Sequence, residues 1–225
     1  MATRTVRGFI FDLDGVITDT AEYHYLAWQR LADEEGIVMG RALGDELRGV
    51  ARRPALERIL GNRSYPEDMI LEMMDRKNAY YVAMLDRVKP SDVLPGVQPL
   101  IDELHFAGIK VALGSASKNA RPVLDRLGIA SAFDAVSDGY SVVAHKPEPD
   151  LFLDAAAKIG VDPSESVVAE DAEAGVQAAI LGGFMSIGLG PVERVGAADL
   201  VLSSFAGTTL AGILAGLDAQ GPPEF

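Results

Sequence analysis

The stretch Phe9-Ile10-Phe11-Asp12-Leu13-Asp14-Gly15 joins an apolar run directly to two carboxylates that stand two positions apart. A strand buried on both faces of a sheet is almost continuously apolar, so we expect Val6–Phe11 to be the first strand of a parallel sheet. Open α/β sheets bind ligands beyond the carboxyl ends of their strands, where Asp12 and Asp14 follow. One carboxylate can act as a nucleophile and metal ligand, and the other as a proton donor and acceptor. The alternative is that Asp-x-Asp only ends a strand in a turn.

Further short apolar runs bounded by turn residues predict more strands of the same kind. These runs are Ile109–Leu113, Val167–Ala169, Met185–Gly188 and Leu200–Leu202. The segments between them carry apolar residues at helical spacing. This alternation predicts an α/β fold with a parallel sheet and right-handed crossovers.

The segment 19–88 interrupts this alternation, because its patterns predict four helices and no strand. Asp19 and Glu22 form a capping-box pattern that predicts the start of the first helix. The second helix covers Leu43 and Leu47, and the third is predicted to begin at Pro54, a residue suited to a first helical position.

These patterns divide the chain into a core, residues 1–18 and 92–225, and a helical cap, residues 19–91, inserted after the first strand. The run from Lys89 to Gly96 predicts a linker back to the sheet. We expect the two connections, near Thr18 and near Pro90, to form a hinge.

Composition excludes several classes of protein. The net charge is −13 with a pI near 4.6, which disfavours a general nucleic-acid binder. The chain has no cysteine, which excludes disulfides and thiolate metal sites and agrees with a reducing cytosol. The uncharged stretch Ala174–Val192 has the length of a membrane span, but Gly182-Gly183 predicts a helix end followed by the strand at Met185. We therefore expect a cytoplasmic protein without a membrane anchor.

A second pair of acids, Glu170 and Asp171, ends the apolar run Val167–Ala169. If neighbouring strands bring these acids beside Asp12 and Asp14, a hard divalent cation such as Mg²⁺ would relieve their repulsion through oxygen ligands. The alternative is a solvated acidic helix start, since carboxylates favour that end of the helix dipole.

A third strand end, Leu113-Gly114-Ser115-Ala116-Ser117-Lys118-Asn119, carries small and hydroxyl residues before a helix. Its backbone amides and the Ser115 hydroxyl could hold a phosphate, although serine and asparagine are also ordinary helix caps. Lys146, in a proline-rich turn, could neutralise phosphate and nucleophile charge together, or simply be solvated.

The cap offers further polar candidates. The run Arg48-Gly49-Val50-Ala51-Arg52-Arg53 could reach a second phosphate, because arginine suits bidentate capture of phosphate, or it could be a solvated basic loop. Lys77 lies on an apolar helical stripe, where it either extends to the surface or points into the cleft beside His24.

Four segments together resemble the signature motifs of the haloacid dehalogenase superfamily, in order and at suitable spacing. They are Asp12-Leu13-Asp14-Gly15-Val16-Ile17-Thr18-Asp19-Thr20, Ser115, Lys146 and Glu170-Asp171. The resemblance covers essentially the whole chain and implies a Rossmann-like core with an inserted helical cap. Within the superfamily, the segments 19–24, 76–78 and 115–119 resemble its sugar-phosphate mutases. The chain departs from them at Arg48, where lysine is usual, and at Ala55, where serine is usual.

The resemblance implies a reaction that interconverts β-D-glucose 1-phosphate and glucose 6-phosphate through β-glucose 1,6-bisphosphate, which also serves as activator. Asp12 would become an aspartyl phosphate, making the enzyme a phosphoprotein, and Asp14 would move the protons. Ser115 and Lys146 would hold the transferring phosphoryl group. Magnesium would bind Asp12, the Asp14 carbonyl oxygen, Glu170 and Asp171. The implied substrate-binding residues are Thr20, His24, Trp28, Arg48, Gly49, Arg52, Lys77, Ala116, Ser117, Lys118 and Asn119.

Two other functions use the same motifs. A sugar-phosphate phosphatase differs only in letting water reach the aspartyl phosphate, and a non-catalytic sugar-phosphate-binding regulator would have lost turnover. In each case we expect a small-molecule partner, no nucleic acid, no membrane and a monomer.

Overall fold

The computed structural model describes residues 5–219, and its centre is a six-stranded, fully parallel sheet. The strands are β1 (Gly8–Phe11), β2 (Lys110–Gly114), β3 (Ala135–Ser137), β4 (Ser166–Glu170), β5 (Met185–Leu189) and β6 (Leu200–Leu202). Their order across the sheet is β3-β2-β1-β4-β5-β6. The strands that follow β1 therefore lie first on one side of it, as β2 and β3, and then on the other side, as β4 to β6. The topological switch point of the sheet lies between β1 and β4, at their carboxyl ends.

Six helices connect the strands or close the sheet. They are α5 (Val97–Phe106), α6 (Ala120–Leu127), α7 (Asp150–Ile159), α8 (Glu173–Leu181), α9 (Val192–Val195) and α10 (Leu210–Ala219). Alternate residues of β1 belong to different apolar clusters, Phe9 and Phe11 to one and Ile10 to the other, as the two-residue period of a strand requires. Both faces of β1 are thus buried, which explains its continuous apolar sequence.

The predicted strands are confirmed, but the sequence interpretation missed β3. Ala135–Ser137 is only three residues long and contains one large apolar residue, so it gives almost no periodic signal. The segment Ala174–Val192 is confirmed as a helix, a glycine turn and a strand, α8 followed by β5. Within residues 5–219, no helix is long and apolar enough to cross a membrane.

Four helices lie between β1 and β2 and precede α5: α1 (Ala21–Glu34), α2 (Arg41–Glu46), α3 (Arg52–Leu60) and α4 (Glu67–Leu85). The predicted capping box is wrong, because Thr20 occupies the N-cap of α1 and no side chain caps the helix. The Thr20 hydroxyl donates instead to Asp14. The predicted start of α3 at Pro54 is also wrong by two residues, since a helix tolerates proline throughout its first turn.

These four helices have an apolar core of their own, with Trp28, Leu56 and Met73 among its buried members. Tyr81 and Leu85 of α4 pack instead into the cluster that covers one face of the sheet. The two connections meet beside each other, because Leu94 N–H donates to the Ile17 carbonyl oxygen at 2.8 Å. We therefore propose the boundaries given above for the cap, residues 19–91, and the core.

Two glycines with positive φ give a matched test of the packing around α5. A Cβ on Gly96 (φ 88°) would stand 2.0 Å from the Phe205 carbonyl oxygen, whereas a Cβ on Gly160 (φ 67°) would meet no atom within 4 Å. An L residue in this conformation costs about 1–2 kcal/mol, and steric overlap adds about 1–3 kcal/mol. We expect Gly160→Ala to lower the free energy of unfolding by about 1 kcal/mol and Gly96→Ala by about 3 kcal/mol in urea titrations. Equal losses would contradict the close approach of Gly96 to Phe205.

Candidate active site

Three neighbouring strands deliver polar residues to one edge of the sheet. Asp12 follows β1, Ser115 follows β2, and Glu170 is the last residue of β4. The backbone extends the sheet pattern through these positions, since Asp12 N–H donates to the Ala169 carbonyl oxygen at 2.9 Å and Ser115 N–H to the Ser137 carbonyl oxygen at 3.0 Å. The acids therefore stand on rigid backbone at the switch point.

Lys146 holds two of these acids together. Its Nζ donates to Asp12 Oδ1 at 2.6 Å, to Glu170 Oε1 at 2.5 Å and to the Gly114 carbonyl oxygen at 3.2 Å. The side chain is fully buried. Burial acts to lower the pKa of Lys146, but Asp12 and Glu170 outweigh it and raise the pKa, so the ammonium stays charged. The structure thus excludes the alternative of a solvated lysine.

The carboxylates form a compact cluster suited to a cation. Ligand oxygens of Asp12, Glu170 and Asp171 lie within 4.8 Å of one another, and all three residues are buried. Burial, and then the negative charge of Glu170, raises the pKa of Asp171 to about 7. Burial also raises the pKa of Asp12 well above its usual range. Because crowded, desolvated oxygen donors gain most from a hard divalent cation, these residues fit Mg²⁺.

Two arginines contact Asp171. Arg48 of the cap places Nη1 3.0 Å from Asp171 Oδ2, and Arg194 donates from Nε to the Asp171 carbonyl oxygen at 2.6 Å. Arg48 is partly buried by this contact. The cap therefore touches the acid cluster directly through a charge pair.

Asp14 faces a chain of polar groups from the cap. Thr20 donates to Asp14 Oδ1, and His24 Nε2 lies 3.7 Å from Asp14 Oδ2. Lys77 Nζ lies 2.7 Å from His24 Nδ1. In its charged form Lys77 can only donate, so in that form Nδ1 accepts and the imidazole carries its proton on Nε2, toward Asp14. The His24 ring also stacks on Tyr81 with centroids 3.9 Å apart.

Burial dominates the electrostatics of this chain. It raises the pKa of Asp14 and, followed by the positive charges of Lys77 and Arg52, holds the pKa of His24 well below its usual range. Burial and then Arg52 lower the pKa of Lys77 to about 7. Asp14 is therefore shifted toward the range in which a carboxyl group can both donate and accept a proton near neutral pH.

A cavity of about 370 Å³ lies between the cap and the strand ends. The predicted site residues that line it are Asp12, Asp14, His24, Trp28, Arg48, Gly49, Arg52, Lys77, Ser115, Ala116, Ser117 and Lys118. Thr20 and Asn119, both predicted to bind substrate, do not line it. Thr20 is committed to Asp14, and Asn119 Nδ2 donates to Asn78 Oδ1 at 2.9 Å.

The three arginines of the basic run have different surroundings. Arg48 pairs with Asp171, and Arg53 pairs with Glu67 at 2.6 Å. Arg52 makes no ion pair with a carboxylate of residues 5–219. Its guanidinium donates to Asn78 Oδ1 at 2.8 Å, the atom that also accepts from Asn119 of the core. Of the three, Arg52 is the one whose charge remains available to an anion in the cavity.

Sequence reasoning missed three residues of this site. Asn78 bridges Arg52 to Asn119, Arg194 holds Asp171, and His145 lines the cavity beside Lys118. The sequence did contain an indication of Asn78, because it follows Lys77 in the segment 76–78 that carries part of the resemblance. It contained no indication of Arg194, because its contact depends on a helix 23 residues beyond Asp171.

Comparison with known proteins agrees with this geometry. A family model described as haloacid dehalogenase-like hydrolase matches residues 6–183, and the chain belongs to that family. It is 40% identical over 209 residues to β-phosphoglucomutase of Bacillus subtilis, with 91% of this chain and 92% of that protein covered.

Two further relatives mark the range of the resemblance. A crystal structure of β-phosphoglucomutase from Clostridium difficile superimposes with a TM-score of 0.92 at 39% identity, covering 96% of this chain and 98% of that one. Fructose-1-phosphate phosphatase YqaB of Escherichia coli is 32% identical over 180 residues, which cover 80% of this chain and 94% of that protein.

The contact between Arg48 and Asp171 predicts competition between a cap cation and Mg²⁺. A partly exposed ion pair contributes about 1 kcal/mol, and Mg²⁺ must give up that contribution when it displaces Arg48 from Asp171. Arg48→Gln should therefore bind Mg²⁺ about fivefold more tightly in calorimetric titration. Asp171→Asn should lose most of the affinity. Arg58→Gln, an exposed arginine on α3 outside the cavity, should bind as the wild type does. Weaker Mg²⁺ binding by Arg48→Gln would contradict the competition.

Proposed function

We propose that this chain is a β-phosphoglucomutase, an intramolecular phosphotransferase that interconverts β-D-glucose 1-phosphate and glucose 6-phosphate. The observation that carries the proposal is the link from the cap to Asp14 through His24 and Lys77. It makes the proton-transfer residue of the core depend on cap residues, as a sugar-selective enzyme requires. The identity to the Bacillus subtilis mutase supports the same function.

Asp12 is the proposed nucleophile. Lys146 fixes its Oδ1, and Oδ2 makes no hydrogen bond within residues 5–219. The phosphorylated enzyme first transfers its phosphoryl group from Asp12 to the free hydroxyl of a bound sugar monophosphate, and Asp14 takes the proton of that hydroxyl; the product is the bisphosphate. After the bisphosphate has turned around, Oδ2 attacks the other phosphorus and reforms the aspartyl phosphate as the bond from phosphorus to the sugar oxygen breaks, and Asp14 gives that oxygen its proton.

The residues proposed to hold Mg²⁺ are Asp12, Asp171, Glu170 and the carbonyl oxygen of Asp14. When bound, the ion would offset the repulsion between the carboxylates and an incoming phosphoryl group. Glu170 also positions the surrounding chain, because its Oε2 accepts from Ala172 N–H at 2.8 Å while Oε1 accepts from Lys146.

The phosphate that is not transferred is assigned to Arg52, Ser117 and Lys118. Arg52 is held by Asn78, and Asn119 of the core shares that acceptor, so a phosphate bound here would bridge cap and core. Each charge-assisted hydrogen bond to such a phosphate contributes about 1.5–3 kcal/mol. That energy would hold the cap closed while the sugar stands between the two phosphate sites.

The proposed route passes through a bisphosphate. A sugar phosphorylated at both ends must turn around and return its first phosphoryl group to Asp12, and β-glucose 1,6-bisphosphate would also regenerate the aspartyl phosphate after any hydrolysis. The enzyme would thus be a phosphoprotein during turnover. We propose a cytoplasmic location, which suits a cysteine-free chain that acts on charged sugar phosphates.

A phosphatase is the second candidate, and the similarity to the Escherichia coli phosphatase is what favours it. The two functions separate in one assay with β-glucose 1-phosphate, Mg²⁺ and a trace of the bisphosphate. A mutase yields glucose 6-phosphate, and a phosphatase yields glucose and free phosphate. A regulator without turnover yields neither.

In this assay Asp12→Asn should lower turnover at least about a thousandfold, because an amide of nearly the same shape is a poor nucleophile. The variant should keep the far-ultraviolet circular dichroism of the wild type. Turnover above a few per cent in the folded variant would remove Asp12 from the nucleophilic role.

The cap residues give a separate prediction about product partition. Arg52→Ala should lower glucose 6-phosphate formation at least about tenfold, while hydrolysis of the phosphoenzyme changes much less. His24→Ala should shift the ratio of transfer to hydrolysis toward hydrolysis. Arg58→Ala, on the same helix as Arg52 but outside the cavity, serves as the control. Both products falling by one common factor in both site variants would show that the cap is only a passive lid.

A further inference from the structure

His145 is a partly buried residue of the cavity wall to which no role has been assigned so far. It directly precedes Lys146, whose ammonium points away into the acid cluster. The Nδ1 atom of His145 is buried and has no hydrogen-bond partner among residues 5–219. A buried polar atom without a partner costs about 1–3 kcal/mol, so its presence at a cavity calls for a functional explanation.

The proton position follows from this burial. We assign the hydrogen to Nε2 and the lone pair to the buried Nδ1, because an orphaned N–H donor is rarer in proteins than an under-satisfied acceptor. Burial, and then the positive charge of Lys118, lowers the pKa of His145. The ring is therefore neutral at neutral pH, and the group it offers to the cavity is one N–H donor.

The neighbouring loop fixes what that donor can meet. Lys118 lines the same cavity as His145, and its Nζ lies 4.9 Å from the ring centroid of the exposed Tyr140. Gly139 N–H donates to the Ser117 carbonyl oxygen at 3.2 Å, so the loop after β3 packs against the segment that carries Lys118. A lysine and an N–H donor side by side, facing a common cavity, are typical of a site for a phosphate oxygen.

We propose that His145 is a substrate-binding residue that donates a hydrogen bond from Nε2 to the same non-transferred phosphate that Lys118 holds. The inference rests on the proposed function, because it extends the phosphate site assigned there. It makes the core wall of that site a pair of donors, one charged and one neutral, opposite Arg52 of the cap.

The test is equilibrium binding of glucose 6-phosphate by calorimetry in the Asp12→Asn background, where no turnover occurs. His145→Ala should weaken binding about tenfold, the loss expected for one hydrogen bond to a charged group. His145→Gln, whose amide nitrogen can stand near the position of Nε2, should recover most of the affinity. His105→Ala, at an exposed histidine of α5, should bind as the parent does.

A double-mutant cycle with Lys118→Ala decides which group His145 contacts. If both residues bind one phosphate, the combined loss should be smaller than the product of the single losses by at least about threefold. Strictly multiplicative losses would overturn the shared phosphate. Full affinity in a folded His145→Ala would overturn the inference while leaving the proposed function standing. Failure of the parent to bind glucose 6-phosphate would overturn both.

In steady-state assays of the otherwise wild-type enzyme, His145→Ala should raise the KM for β-glucose 1-phosphate about tenfold and lower kcat less than threefold. A loss confined to kcat would contradict a binding role and would indicate that the substitution disturbs Lys146.

Discussion

The ion pairs of Lys146 with Asp12 and Glu170 are the constraint on which the site depends. Two carboxylates and one ammonium are removed from water at the sheet edge, at a cost of several kcal/mol for each ion. The arrangement persists because each charge has a partner at 2.5–2.6 Å. Two carboxylates on one ammonium leave a net negative charge, so a phosphate bound here needs further cations.

Those further cations are divided between the two parts of the molecule. Arg194 of the core touches Asp171, whereas Arg48, Arg52 and Lys77 all come from the cap. Cap and core together therefore supply the positive charge as well as the walls of the cavity. In a chain with a net charge of −13, this local concentration of positive charge favours binding of an anion where cap and core meet.

The sequence predicted most of what is encoded in short segments. The apolar strands, the acids that follow them and the order of the motifs were all readable, because a buried strand and its carboxyl end lie side by side in the chain. The predicted capping box at the start of α1 was wrong, because Thr20 is the N-cap residue and its hydroxyl donates to Asp14 instead of capping the helix. The sequence interpretation also missed β3, which is too short for a period, and Arg194, whose contact exists only after folding. His145 precedes Lys146 in the sequence, but no sequence pattern indicates that it lines the cavity.

In the proposed function, Asp14 becomes an effective base only when the cap closes over a sugar phosphate. The most direct measurement is the lifetime of the aspartyl phosphate on Asp12, followed by rapid quench with and without glucose 6-phosphate. General-base catalysis contributes about 10²–10⁴-fold, so discharge to the sugar should be at least about a hundredfold faster than discharge to water. Discharge at the same rate with and without the sugar phosphate would contradict the account.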